Sequence, residues 1–321
     1  MKSILGRSLT RSSTWSALAC ITLLGTPAAI SAAPTQRAEA PAHRTQEVMD
    51  RQLVAALVSS VRTSADRARD RDRHPYATLR FGGLRPGLIV IDLQPEGGYW
   101  TRILAPYLAQ THGIYIAGVP NPGNLDARDL LVTGDGEVSA TKAGRARLGP
   151  IQYTAFGPAS PALGAPGRAD LIIASREVHN WINVGYADKG FGDAFRALKP
   201  GGILAIEEHR AEPQIDPVLT GYPFTGYVPT PTVIALARKV GFVLEATSEI
   251  NANPRDVKSY PFGVWTLPPS QLSSGPGFPS LTDAQRARFN AIGESDRMTL
   301  RFRKPFHSTS GARRAPTNAI R

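Results

Sequence analysis

The stretch LIVIDLQPEGGYWTRILAPYLAQ, Leu88 to Gln110, decides the fold of this 321-residue chain. Leu88–Leu93 is apolar but for Asp92, the pattern of a strand covered on both faces of a parallel sheet. Pro95, Gly97 and Gly98 mark a turn. Trp100, Ile103, Leu104, Tyr107 and Leu108 then recur at helical spacing on one face. Strand, glycine turn and helix in that order build open α/β sheets. In such sheets a ligand lies against the first turn, where backbone N–H groups and the helix N-terminus face the crevice.

The segment resembles motif I of class I S-adenosylmethionine-dependent methyltransferases, roughly V-L-D/E-x-G-x-G-x-G-x-x-T. Val90, Ile91, Asp92, Gly98 and Thr101 match it residue by residue. Gln94 and Glu96 stand where the family has its first two glycines. A Cβ at those places opposes close approach of backbone to cofactor, and Glu96 brings a negative charge to the methionine end of the site. The resemblance implies a Rossmann-like α/β fold, a seven-stranded, mostly parallel sheet with helices on both faces. It also implies S-adenosyl-L-methionine as cofactor, with Asp92, Gln94, Glu96, Gly97, Gly98, Tyr99, Asn121 and Ser175 as its contacts. In the superfamily an acid ends the second strand and bonds the ribose. Here Ala117-Gly118-Val119-Pro120-Asn121 has none, so Asn121 or Asn124 is left as a weaker, uncharged acceptor.

Working outward, residues 1–33 read as a secretory signal. Lys2, Arg7 and Arg11 form a basic start, Trp15–Leu24 an apolar run, and Ala29–Ala33 a small-residue cleavage region. The apolar run is too short for a stable span of about 20 residues, so no transmembrane segment is expected in the mature chain, which would be periplasmic or secreted. Cys20, the only cysteine, would leave with the signal, excluding disulfides and cysteine-ligated metal from the mature protein. The net charge falls from +11 to +8 when those three basic residues leave. The remaining cations are scattered in Arg-Ala and Arg-Asp pairs, a solvated surface. Residues 34–46 read as a flexible leader, 47–305 as one methyltransferase-like domain and 306–321 as a disordered tail.

Within the domain, Glu47–Val61 carries apolar residues at helical spacing. Ser64–Arg73 alternates acid and base, as a solvated helix end with weak local ion pairs does. In the exported methyltransferase-like branch that this chain resembles, such a stretch lids the crevice, which makes Asp70 and Arg73 site candidates. Gly113–Gly118, Ile151–Phe156, Ala169–Ser175 and Ile203–Glu207 read as strands two to five. The phrase LKPGGILAIEEHRA is similar to the superfamily's usual entry into the fifth strand, and Asp170 stands at its usual acidic position before the fourth. Phe191–Leu198 and Thr230–Val240 read as helices, the second opening on Thr-Pro and closed by Gly241. Asp126–Leu148 reads as helix plus loop. Phe242–Ile250 and Met298–Arg303 supply the last strands.

Methyl transfer is in-line attack on a sulfonium carbon, so most of the rate comes from positioning, with a base where the nucleophile carries a proton. The loops after the fourth and fifth strands hold Ser175-Arg-Glu-Val-His-Asn-Trp-Ile-Asn183 and Glu207-Glu-His-Arg210. Both resemble the exported branch, and they make His179 and His209 the candidate bases or substrate ligands, with Asn180 and Glu177 orienting them. For each histidine a plain structural hydrogen bond weighs about equally. A metal held by His179, His209 and Glu207 lacks His-x-His or HxxxH spacing, and no metal is expected. Trp100 and Trp181 read as packing residues. The D/N-P-P-Y/F signature of base methylases, basic–aromatic interleaving, a P-loop and G-x-G-x-x-G are all missing from the sequence, so a small-molecule substrate is expected and no specific nucleic acid. The rival expectation is a non-catalytic binding protein that keeps the fold and has lost the cofactor.

Overall fold

The structure is a computed structural model that describes residues 51–125, 146–212, 225–277 and 279–306. The signal, the leader, most of Asp126–Leu148 and the tail from residue 307 lie outside the described residues. Asp92 sits in the middle of the sheet because the run around it has no polar face. Ile89–Leu93 (β1) is flanked on one side by Ile114–Val119 (β2) and Ile151–Ala155 (β3). On the other side lie Ala169–Ser175 (β4) and Leu198–Ala211 (β5). All these pairings are parallel.

Val228–Pro229 (β6) adds a short parallel pairing to the end of β5. Val243–Ser248 (β7) and Arg297–Arg303 (β8) complete the sheet in the order β3-β2-β1-β4-β5-β8-β7, with β8 antiparallel to both neighbours. The expected central β1, with the fourth and fifth strands to one side, is what is found. The fifth strand is longer than Ile203–Glu207 because β8 pairs with it through His209. The helix before it runs Ala187–Ala197 and not Phe191–Leu198.

Helices cover both faces, with one apolar cluster on each. The helix Thr101–Gln110 is buried from Thr101 through Leu108, more completely than a single apolar stripe predicts. Leu53, Ala56 and Leu148 belong to the same apolar cluster, so its outer side is covered too. Asp170 ties the N-terminal edge of the sheet together. Its carboxylate accepts from Ile89 N at 2.9 Å and Lys199 Nζ at 2.6 Å.

The acid–base helix Ser64–Arg73 departs from the solvated reading. Asp66 and Arg73 are buried. Asp66 accepts from Arg102 at 2.6 and 2.8 Å, and Arg73 Nε donates to Glu294 at 2.7 Å. Thr63 caps the helix through a reciprocal box with Asp66. The charges that looked like surface decoration are the helix's attachment to the sheet. None of the described helices is long and apolar enough to cross a membrane.

Candidate functional site

The turn after β1 carries the site. Gln94 and Glu96 adopt positive φ of 50° and 42°, and Gly98 76°. The two residues that replace the motif's glycines therefore hold the left-handed backbone that glycine takes without strain. The Gln94 side chain is held inside the fold, accepting from Trp181 Nε1 at 2.6 Å and Tyr186 OH at 3.0 Å. That bond also places Trp181 in packing, as expected.

Beside this turn opens a crevice of about 500 Å³ lined by Asp92, Gln94, Glu96, Gly97, Tyr99 and Ser175 among the expected contacts. Gly98 and Asn121 do not line it. Asn121 is exposed, and its side chain accepts from Gly123 N at 3.0 Å. Arg69, Arg73, Arg176 and Glu177 complete the charged wall. Asp70 does not line the crevice; it accepts from Arg62 and from Tyr99 OH, the latter at 2.7 Å.

Two features set the crevice's electrostatics. Glu177 is pushed up to about 10, chiefly by burial and then by the charge and hydrogen bond of Glu96, against the Asn180 amide. Glu177 therefore keeps its proton at neutral pH. Opposite in sign, Arg73 is buried, with its guanidinium 4.4 Å from the centroid of the Tyr99 ring. Its Nε is taken by Glu294, while Nη1 and Nη2 have no hydrogen-bond partner among the described residues. Glu294 is held down at about 2 despite its burial, by Arg73, Arg297 and Arg176. Asp92, fully buried at the floor, is pushed up to about 7 by desolvation, which the Tyr115 hydroxyl at 2.9 Å only partly offsets.

The histidines lie elsewhere. His179 and His209 are neighbours, with ring centroids 5.1 Å apart, but neither lines the crevice of Asp92. Their orienting partners also differ from expectation. Asn180 donates to Glu177 at 3.1 Å. His179 Nδ1 is 2.9 Å from Glu208 Oε1, and His209 Nδ1 is 2.5 Å from Ser295 Oγ. Burial first, and then the charges of His179 and three arginines, hold His209 well below its usual value. Glu208, Glu294 and Arg176 are the site residues that sequence reasoning passed over. Only Glu208 had a signal, its place beside Glu207 at a strand end.

A mostly parallel sheet with a central β1, an antiparallel β8 between β5 and β7, and a crevice at the carboxyl ends of β1 and β4 is the class I S-adenosylmethionine-dependent methyltransferase fold. Over 131 residues the chain is 29% identical to a ubiquinone/menaquinone biosynthesis C-methyltransferase, UbiE, of Hydrogenovibrio crunogenus. The match covers 40% of this chain and 45% of that relative, less than half of its length. Among solved structures it is similar to a methyltransferase of Mesorhizobium loti, with 17% identity, TM-score 0.39 and coverage of 71% of this chain and 96% of that one. It is also similar to the [4+2]-cyclase SpnF, with 15% identity, TM-score 0.49 and coverage of 82% and 96%. No family model matches the chain.

Proposed function

We propose that this chain is an exported S-adenosylmethionine-dependent methyltransferase acting on a small molecule or an envelope component. One observation carries the reading: Arg73, whose Nη1 and Nη2 have no hydrogen-bond partner among the described residues, lines the same crevice as the Glu96–Glu177 pair. A fork of N–H donors suits a carboxylate, and a hydrogen-bonded pair of carboxyls suits an ammonium group. Together they complement an amino-acid head group such as the methionine end of the cofactor. Glu96, which by sequence looked like an obstacle, then becomes half of the ammonium site. Bound there, the cofactor would supply the methyl group. The export part rests on the pattern of residues 1–33.

A second reading, a non-catalytic binding protein that keeps the fold and has lost the cofactor, is favoured by the second strand. No acid ends it, and Asn121 already accepts from Gly123, so the ribose lacks its usual acceptor.

Arg73→Lys separates the two. The fork is lost and the charge kept, so S-adenosylmethionine affinity falls at least about tenfold, while decarboxylated S-adenosylmethionine binds wild type and variant alike. Equal loss for both ligands, or for neither, contradicts the assignment of Arg73 to a carboxylate.

A further inference from the structure

We propose that His179, Glu208 and His209 form a binding site for one divalent transition ion, of the zinc class, beside the crevice. One donor atom from each of the three lies within 4.8 Å of the other two. A zinc ion takes nitrogen and oxygen ligands at about 2.0–2.2 Å, so its ligand atoms stand about 2.8–3.6 Å apart, from octahedral to tetrahedral sets. The 2.9 Å separation of His179 Nδ1 from Glu208 Oε1 already meets that edge, and small ring rotations bring in the third donor. Two imidazoles and a carboxylate are a borderline set that selects zinc, cobalt or iron over calcium and magnesium.

The fold supplies the set economically. Glu208 and His209 are consecutive at the end of β5, and His179 is the second residue of the helix Val178–Val184 that follows β4. Those strands are paired neighbours, with Ser175 opposite Glu207. The sequence reading weighed Glu207 with the two histidines and, for want of metal-ligand spacing, expected no metal. Glu207 is spent on Arg297 at 2.5 Å and Ser175 Oγ at 2.7 Å.

Charge is the independent argument. Glu208 is fully buried, and among the described residues no lysine or arginine pairs with it. The nearby Arg297 guanidinium is taken by Glu207 and Glu294, and Arg73 gives its Nε to Glu294. Backbone N–H groups of His179 and His209 reach the Glu208 carboxylate at 3.1 and 2.7 Å, but dipoles alone leave a buried charge expensive. A divalent ion on this carboxylate and two imidazoles supplies the missing countercharge.

The test uses the full mature chain, stripped with a chelator and titrated with Co²⁺ and Zn²⁺ by absorption and calorimetry, with no S-adenosylmethionine present. One ion per chain is expected. His179→Ala, His209→Ala and Glu208→Gln should each weaken it at least about tenfold, and the exposed His112→Ala should leave it unchanged. Glu208→Gln keeps shape and volume, so it serves if an alanine variant fails to fold by circular dichroism. Substoichiometric binding by wild type, or wild-type affinity in folded Glu208→Gln, overturns the site. Because cofactor is absent, failure here is distinct from failure of the methyltransferase reading.

Discussion

Arg73 and Glu294 lie 2.7 Å apart at the wall of the crevice although 221 residues separate them. The pair joins the N-terminal helix Ser64–Arg73 to the segment entering β8, and both side chains are only 1% exposed. Its carboxylate therefore contributes in a defined pH window. The folded value of Glu294 is about 2, below the ordinary 4.5. The contribution is complete above the ordinary value and is lost as pH falls towards about 2.

Glu294→Gln should then destabilise the protein by about 3–5 kcal/mol near neutral pH, as removing one partner of a buried pair does. Urea melts from pH 6 downwards should show the gap to wild type narrowing below pH 4.5 and closing towards pH 2. A gap that stays constant over that range assigns Glu294 no ionic role.

Asp92 works in the opposite direction. Its folded value is raised from 3.8 to about 7, so wild type loses stability as pH climbs through that interval. Asp92→Asn keeps an acceptor for Tyr115 OH and has no charge to desolvate. The variant should match wild type near pH 4 and exceed it by roughly 2–4 kcal/mol at pH 8. A variant less stable than wild type at pH 8 contradicts the burial argument.

These two carboxylates also mark where sequence reading reached and where it stopped. β1, β4 and the core of β5 were legible because strands covered on both faces read as short apolar runs. The crevice was half legible, since the resemblance to motif I implied Asp92, Glu96 and Tyr99 as contacts, and all three line it. Arg73 and Glu294 were not paired in advance. Alternating charge on a helix looks the same whether the partner is solvent or a residue 221 positions away. The placing of the histidines failed for a related reason. A strand end fixes which edge a residue reaches, but not whether its side chain turns into the crevice or, as with His179, onto the neighbouring Glu208.

Glu96→Gly separates an obstacle from a ligand contact. Glycine relieves a residue held at φ 42°, a conformation costing an L residue roughly 1–2 kcal/mol, partly offset by the entropy of glycine. A stability gain of about 0.5–1 kcal/mol is expected in urea melts. S-adenosylmethionine binding should weaken, because Glu177 loses its acidic partner. Tighter binding in the variant makes Glu96 the obstacle that its sequence position suggested.

The central claim is that the crevice between Arg73 and the Glu96–Glu177 pair receives an amino-acid head group. Calorimetric titration of S-adenosylmethionine into the purified chain at pH 7 tests it most directly. Saturable binding of one molecule per chain, in the micromolar to low-millimolar range, is the predicted result. A folded chain that takes up no heat across that range contradicts it and leaves the non-catalytic reading in its place.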